Sequence, residues 1–152
     1  MMMNTEVDVT EKRVQLTRLF NAPRELVFKV WTRPEHVSKW WGCKGTYKVD
    51  STMDFKVGGE FTHVMHTHDN GVLPYKGIFV EITEPSRISW DADFAGGKSH
   101  VVVDFIPQGT QTLVTLTLTG SPGMDYNLHV SVGFKATLDR LTEVLEKELA
   151  AV

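Results

Sequence analysis

The densest run of side chains able to do acid–base or metal chemistry is His63-Val64-Met65-His66-Thr67-His68-Asp69. On an extended strand alternate residues share a face, so His66 and His68 point one way and His63 the other. At most two imidazoles then converge, whereas a structural zinc site takes four ligands and a catalytic one three plus water. Asp69 or His100 would complete such a set only if the fold brought them close. No metal site is therefore expected, and these histidines read as solvated or hydrogen-bonded groups at a strand end. His63 shares its alternation with Phe61 and Met65 and so faces inward. A histidine in an apolar cavity can act as a general base or orient a ligand carbonyl. The plainer reading is a core histidine satisfied by a neighbouring strand or hydroxyl. His63 is the one catalytic candidate.

Other chemistries lack their signatures. Cys43 has no local nucleophile pattern and reads as an unreactive thiol. Val57-Gly58-Gly59 is a strand-entry turn rather than a phosphate cradle, and no Ser-centred elbow occurs. No cofactor is implied. The aromatic residues Trp40, Trp41, Phe61, Tyr75, Trp90 and Phe134, with Met65 and His63, are suited to lining a cavity that offers large apolar contact and few polar handles. Packing the core is their plainer role.

These side chains need elements to position them. The run from Asp125 to Leu149 has no proline and a single glycine, Gly133. Val130, Phe134, Leu138, Leu141 and Leu145 recur at i, i+3/i+4 spacing, which predicts a long helix with one buried stripe. Asn127 and Ser131 fall near that stripe and are expected either to border a cavity or to bond nearby backbone. Leu128, Val132 and Ala136 form a second apolar row on another side, to be covered by a loop or by a second copy in a homodimer.

Upstream, residues 1–12 read as a loose leader and 13–152 as a single domain. Apolar residues at 14, 16 and 20 predict a strand over 13–20. Asn21 is placed as the cap of a short helix, and Thr32-Arg33-Pro34-Glu35 as the capping box of a second, which stops near Gly42. From Thr46 to Thr119 the period becomes two. The alternating sets are Tyr47/Val49/Ser51/Met53/Phe55, Phe61/His63/Met65, Ile78/Val80/Ile82, Ile88/Trp90, Val101/Val103/Phe105 and Val114/Leu116/Leu118, each marking one face of a strand. Turn residues separate about six strands, which predicts an antiparallel meander. The fold class is α+β: a curved antiparallel sheet wrapped around the long C-terminal helix, which is the only amphipathic cover available.

With 152 residues the chain has the length of one domain with a real core. A net charge of −3 argues against general nucleic-acid binding. Lys and Arg outnumber Asp and Glu by ten to seven over residues 1–56, and are outnumbered six to twelve beyond them. No run approaches the ~18 apolar residues a membrane span needs. One cysteine and no visible signal sequence fit a cytoplasmic location.

Several stretches, in order, carry a resemblance: Ala22-Pro23 with Val27-Phe28, Pro34-Glu35 with Val37 and Trp40-Trp41-Gly42, and Val57-Gly58-Gly59-Glu60-Phe61. They continue in Gly77, Pro85-Ser86-Arg87-Ile88-Ser89-Trp90, and Gly133-Phe134 with Leu138-Asp139-Arg140-Leu141. The set resembles the START-like (SRPBCC) superfamily, in the branch named for the activator of heat-shock-protein-90 ATPase. That resemblance implies a helix-grip fold enclosing a hydrophobic cavity. Its members include hydrophobic-ligand carriers, polyketide cyclases, self-sacrificing resistance proteins and a co-chaperone domain. The family often has proline after Trp-Trp-Gly, where this chain has Cys43. Three functions follow as expectations: binding of a small hydrophobic or aromatic molecule, interaction with a heat-shock ATPase, or cavity catalysis of cyclase or hydrolase type.

Overall fold

A computed structural model describes residues 5–150 of the chain. The elements run β1 (Glu6–Val9), β2 (Arg13–Phe20), α1 (Arg24–Trp31), α2 (Pro34–Trp40), β3 (Thr46–Met53), β4 (Glu60–Thr67), β5 (Val72–Thr83), β6 (Arg87–Phe94), β7 (Gly97–Gln108), β8 (Gln111–Thr119) and α3 (Met124–Ala150). One eight-stranded sheet has the order β1-β2-β8-β7-β6-β5-β4-β3, with every neighbouring pair antiparallel. The meander β3–β8 is local. The β2–β8 pairing instead joins the two ends of the chain, Val14 opposite Leu118 and Phe20 opposite Thr112.

The leader read over residues 1–12 is partly ordered, since Glu6–Val9 pairs with Val14–Thr17; residues 1–4 lie outside the described residues. Register explains the order: Thr10 Oγ1 accepts from the backbone N–H of Lys12 and Arg13, closing a tight turn. On β2 the alternation places Arg18 on the inward face with Val14, Leu16 and Phe20, and it is buried. Its guanidinium meets Asp139 of α3 and donates to Thr5 Oγ1 at 2.8 Å. A buried cation needs such partners.

Both helix starts differ from the sequence reading. α1 begins at Arg24 with Pro23 as its capping residue, and the Pro23 carbonyl accepts from Leu26 and Val27 N–H. Thr32 does not cap α2; its hydroxyl donates to Phe28 O at 2.8 Å, closing α1. Arg33, extended as a residue before proline must be, stands at the cap instead. Trp40 Nε1 donates to Val30 O at 3.0 Å and locks the two short helices together.

α3 buries Val130, Phe134, Leu138, Leu141 and Leu145, the stripe read from spacing. Strands β4, β6, β7 and β8 present the expected inner faces, but on β3 Tyr47 is exposed beside a register shift, and β5 is out of phase. Tyr75 and Phe79 are buried, while Ile78 and Val80 are about half exposed on the outer face. Both faces of β5 carry apolar residues, so period alone cannot choose between them. A register shift between Phe79 and Glu81 alters the phase within the same strand.

Candidate functional site

An aromatic-lined concavity lies at one end of the sheet, between the first turns of α3 and the loops that end β4 and β6. β5 pairs with β6 only from Lys76 onward, so Val72–Tyr75 project beyond it, backed by β4 alone. Pro74 is tolerated in this half-edge segment because its missing N–H faces no β6 partner. That overhang, the Trp41–Gly42 corner and α3 enclose a cavity of about 530 Å³. Its inner wall is formed by Trp41, Met65, Leu73, Tyr75, Phe94 and Phe134.

The wall is held from behind. Trp41 meets the rings of Tyr75 and Phe134 with centroids 5.0 and 6.0 Å away. Tyr75 Oη accepts from Trp90 Nε1 at 3.0 Å, and burial pushes the phenol pKa above its ordinary value. Thr137 of α3 grips the corner. Its hydroxyl accepts from Gly42 N–H at 3.3 Å, and its proton lies between the carbonyls of Gly42 and Gly133 at 3.0 and 2.9 Å. Gly42 has φ +136°, and a Cβ there would stand 2.8 Å from Thr46, so only glycine turns the chain here.

Of the residues anticipated from the sequence, Trp41, Met65, Tyr75 and Phe134 are brought together on this wall. Trp40, Phe61, His63 and Trp90 are buried behind it rather than lining it. His63 packs between Trp41 and Phe61 at 4.7 and 4.8 Å, and its Nδ1 lies 3.0 Å from Ser51 Oγ. Burial pushes its pKa down to about 3, so the ring is neutral at physiological pH. It is the hydroxyl-satisfied core histidine of the two readings, and no face of it reaches the large cavity.

Asn127 and Ser131 do not border the cavity. Asn127 is fully buried beneath the β1–β2 turn, where Nδ2 donates to Thr10 O at 2.9 Å and to Glu11 O at 3.3 Å. Its Oδ1 accepts from Ser121. Ser131 Oγ donates to Leu128 O at 2.8 Å, a bond within its own helix. Ser131 is thus satisfied by backbone of its own helix and Asn127 by the distant β1–β2 turn and Ser121, and neither is left free for a ligand.

The remaining histidines disperse. His66 Nε2 sits 2.9 Å from Asp50 Oδ2, His68 stacks on Tyr47 at 4.6 Å, and His100 Nδ1 is 2.8 Å from Asp91 Oδ1. Among the described residues no three His, Cys, Asp or Glu side chains converge as a metal would require. No described helix is long and apolar enough to cross a membrane. Leu128 and Val132 are exposed on α3 and Ala136 is half-buried, so no loop among the described residues covers that row.

Sequence reasoning missed Cys43, Lys44, Asn70, Leu73, Phe94 and His129, which also line the cavity. Leu73 and Phe94 had a signal in their two-residue spacing from Tyr75 and Ala92. The loop residues had none, since their convergence depends on the sheet's curvature.

A curved antiparallel sheet closing on one long helix, with two short helices at its open end, is the helix-grip architecture of START-like (SRPBCC) proteins. Within that class, residues 21–146 match the model of the family described as "Activator of Hsp90 ATPase homolog 1-like protein", and the chain belongs to that family. Among solved structures it is similar to protein NE0264 of Nitrosomonas europaea, with 26% identity and a TM-score of 0.79. That match covers 94% of this chain and 99% of the other. A protein from Arthrobacter aurescens (20% identity, TM-score 0.80, covering 97% and 93%) and CalU16 from Micromonospora echinospora (20%, 0.73, 98% and 90%) share the fold. Among curated proteins none matches the sequence.

Proposed function

We propose that the protein binds a small apolar or aromatic molecule between the overhanging end of β5 and the first turns of α3. The observation that carries this reading is the cavity itself. Its volume of about 530 Å³ falls in the range of roughly 300–1,000 Å³ typical of small-molecule sites. Its wall of Trp, Tyr, Phe, Met and Leu side chains offers flat apolar contact at small entropic cost. Binding rather than catalysis is the better reading, because His63 is screened by Trp41 and no Asp or Glu lines the cavity to act as an acid or base. The family description keeps an interaction with a heat-shock ATPase as the second reading, and a pull-down with that ATPase tests it. The single cysteine and mild net charge favour a cytoplasmic setting for either role.

Native mass spectrometry of gently purified protein, followed by a thermal-shift screen of aromatic compounds, tests the cavity. A binder at a hundred times its Kd stabilises by about 2.7 kcal/mol. Leu73→Trp fills the space from its wall and should abolish the shift. Absence of retained ligand and of any hit would sink the reading.

A further inference from the structure

We propose that the cavity selects ligands carrying an anionic head group on an aromatic body, with the head held at the rim by Lys44, Asn70 and His129. This rests on the cavity-binding reading above and adds the chemistry of the occupant.

The rim is assembled from three elements that the fold binds to one another. Lys44 lies in the loop between α2 and β3, and Asn70 in the turn between β4 and β5. His68 N–H donates to Gly45 O at 3.1 Å and joins these two loops by their backbones. α3 rests on the same loop at Gly133, where an added Cβ would lie 3.7 Å from Cys43 Cβ. His129 stands one helical turn before Gly133, on the same face. All three side chains therefore reach one mouth, and all three line the cavity.

Their hydrogen-bonding capacity is unspent. Lys44 makes no ion pair among the described residues. Asn70 uses its backbone N–H on Thr67 Oγ1 at 2.9 Å, while its side-chain amide has no partner among them. No Asp or Glu lines the cavity. Asp69, whose Oδ2 would stand 3.8 Å from a Cβ on Gly45, lies beside the loop but outside the lining. Asymmetry decides the orientation of a ligand. The inner wall presents the rings of Trp41, Tyr75, Phe94 and Phe134, where a charge would be stripped of water at high cost. The rim keeps an ammonium and an amide in contact with solvent, so an anion remains partly hydrated while gaining charge-assisted donors. A carboxylate, sulfonate or phosphate outward and a fused or linked aromatic system inward is the arrangement that satisfies both ends.

Two fluorescent probes that share one body separate the contributions: 8-anilinonaphthalene-1-sulfonate and its uncharged parent, N-phenyl-1-naphthylamine. Both should bind the wild-type protein with enhanced emission. Lys44→Met should weaken the sulfonate about 3- to 5-fold, as expected for a solvent-accessible charge contact, and leave the neutral amine within about 2-fold. Lys44→Glu should weaken the sulfonate further and again spare the amine. Raising salt from about 20 to about 500 mM should erode the sulfonate's affinity in the wild type alone. Lys44 is exposed, so unchanged melting of both variants verifies the fold. Equal binding of the sulfonate by wild type, Lys44→Met and Lys44→Glu would overturn the head-group assignment while leaving the cavity reading intact. Failure of both probes to bind the wild type would remove the cavity reading and this inference together.

Discussion

The imidazole of His63 packs against the indole of Trp41 with centroids 4.7 Å apart, which puts the histidine on the far side of the cavity wall. One consequence is a defined response to acid. The folded-state pKa is about 3 against an ordinary 6.5, so the unfolded chain takes up the proton first. Stability therefore falls as pH drops from 6.5 towards 3 and is unaffected by this group above 6.5. At 1.36 kcal/mol per unit, about 2 kcal/mol should be lost by pH 5. Urea unfolding of wild type and His63→Gln at pH 7.5 and pH 5 measures it. Only the wild type should show the loss, and parallel curves would refute the assignment.

Gly77 faces Phe61 across the β4–β5 pair, and a Cβ on Gly77 would lie 2.3 Å from the ring's Cζ and 2.4 Å from Cε1. The ring covers a glycine where any side chain would collide. Gly77→Ala should cost about 1–3 kcal/mol by overpacking. Phe61→Leu placed in the same chain should recover part of that loss, although on its own it destabilises. Chemical denaturation of the two single variants and the double variant gives the coupling, and additive losses would contradict the contact.

Trp90 and Tyr75 form a buried pair in which each polar atom has the other as partner, Nε1 donating to Oη at 3.0 Å. Tyr75→Phe leaves the indole N–H unpaired and should cost about 1–3 kcal/mol. A double-mutant cycle with Trp90→Phe isolates the bond from the lost volume. The double variant should be about 1 kcal/mol more stable than the sum of the single losses implies. A cycle that closes at zero would mean that the bond contributes nothing to stability.

Legibility in the sequence followed the range of the interactions. The α3 stripe and the β7 and β8 inner faces depend on spacing along one element, and Val130 to Leu145, Val101 to Phe105 and Val114 to Leu118 are buried as read. β5 failed where Ile78 and Val80 compete with Tyr75 and Phe79 for the same inward face. Asn127 was legible as a polar group on a buried helix face. Its partners, the carbonyls of Thr10 and Glu11, lie more than a hundred residues away, and no local pattern could choose them over a ligand. The rim was the least legible part. Lys44, Asn70 and His129 look like ordinary surface residues until the sheet curves and α3 settles on the Cys43 loop.

The β6–β7 hairpin carries a last expectation, because its two-residue turn is not occupied by its best pair. Phe94 is opposite Gly97, and between them Ala95 has φ +53° and Gly96 φ +77°. Positive φ at both positions is the requirement of a type I′ turn, which matches the right-handed twist of the flanking strands. Glycine meets it without penalty at the second position. At the first, the alanine Cβ crowds its own backbone, and the left-handed region costs an L-residue roughly 1–2 kcal/mol. Asparagine tolerates that region better, so Ala95→Asn should stabilise the protein by about 0.5–1 kcal/mol and raise Tm by about 1–4 °C. Ala95→Val, branched at Cβ, should move Tm the other way. Ala95 also lines the rim of the cavity, so the melts must be run without ligand. A lower Tm for Ala95→Asn than for wild type would show that the turn is held by its surroundings rather than by its own backbone preference.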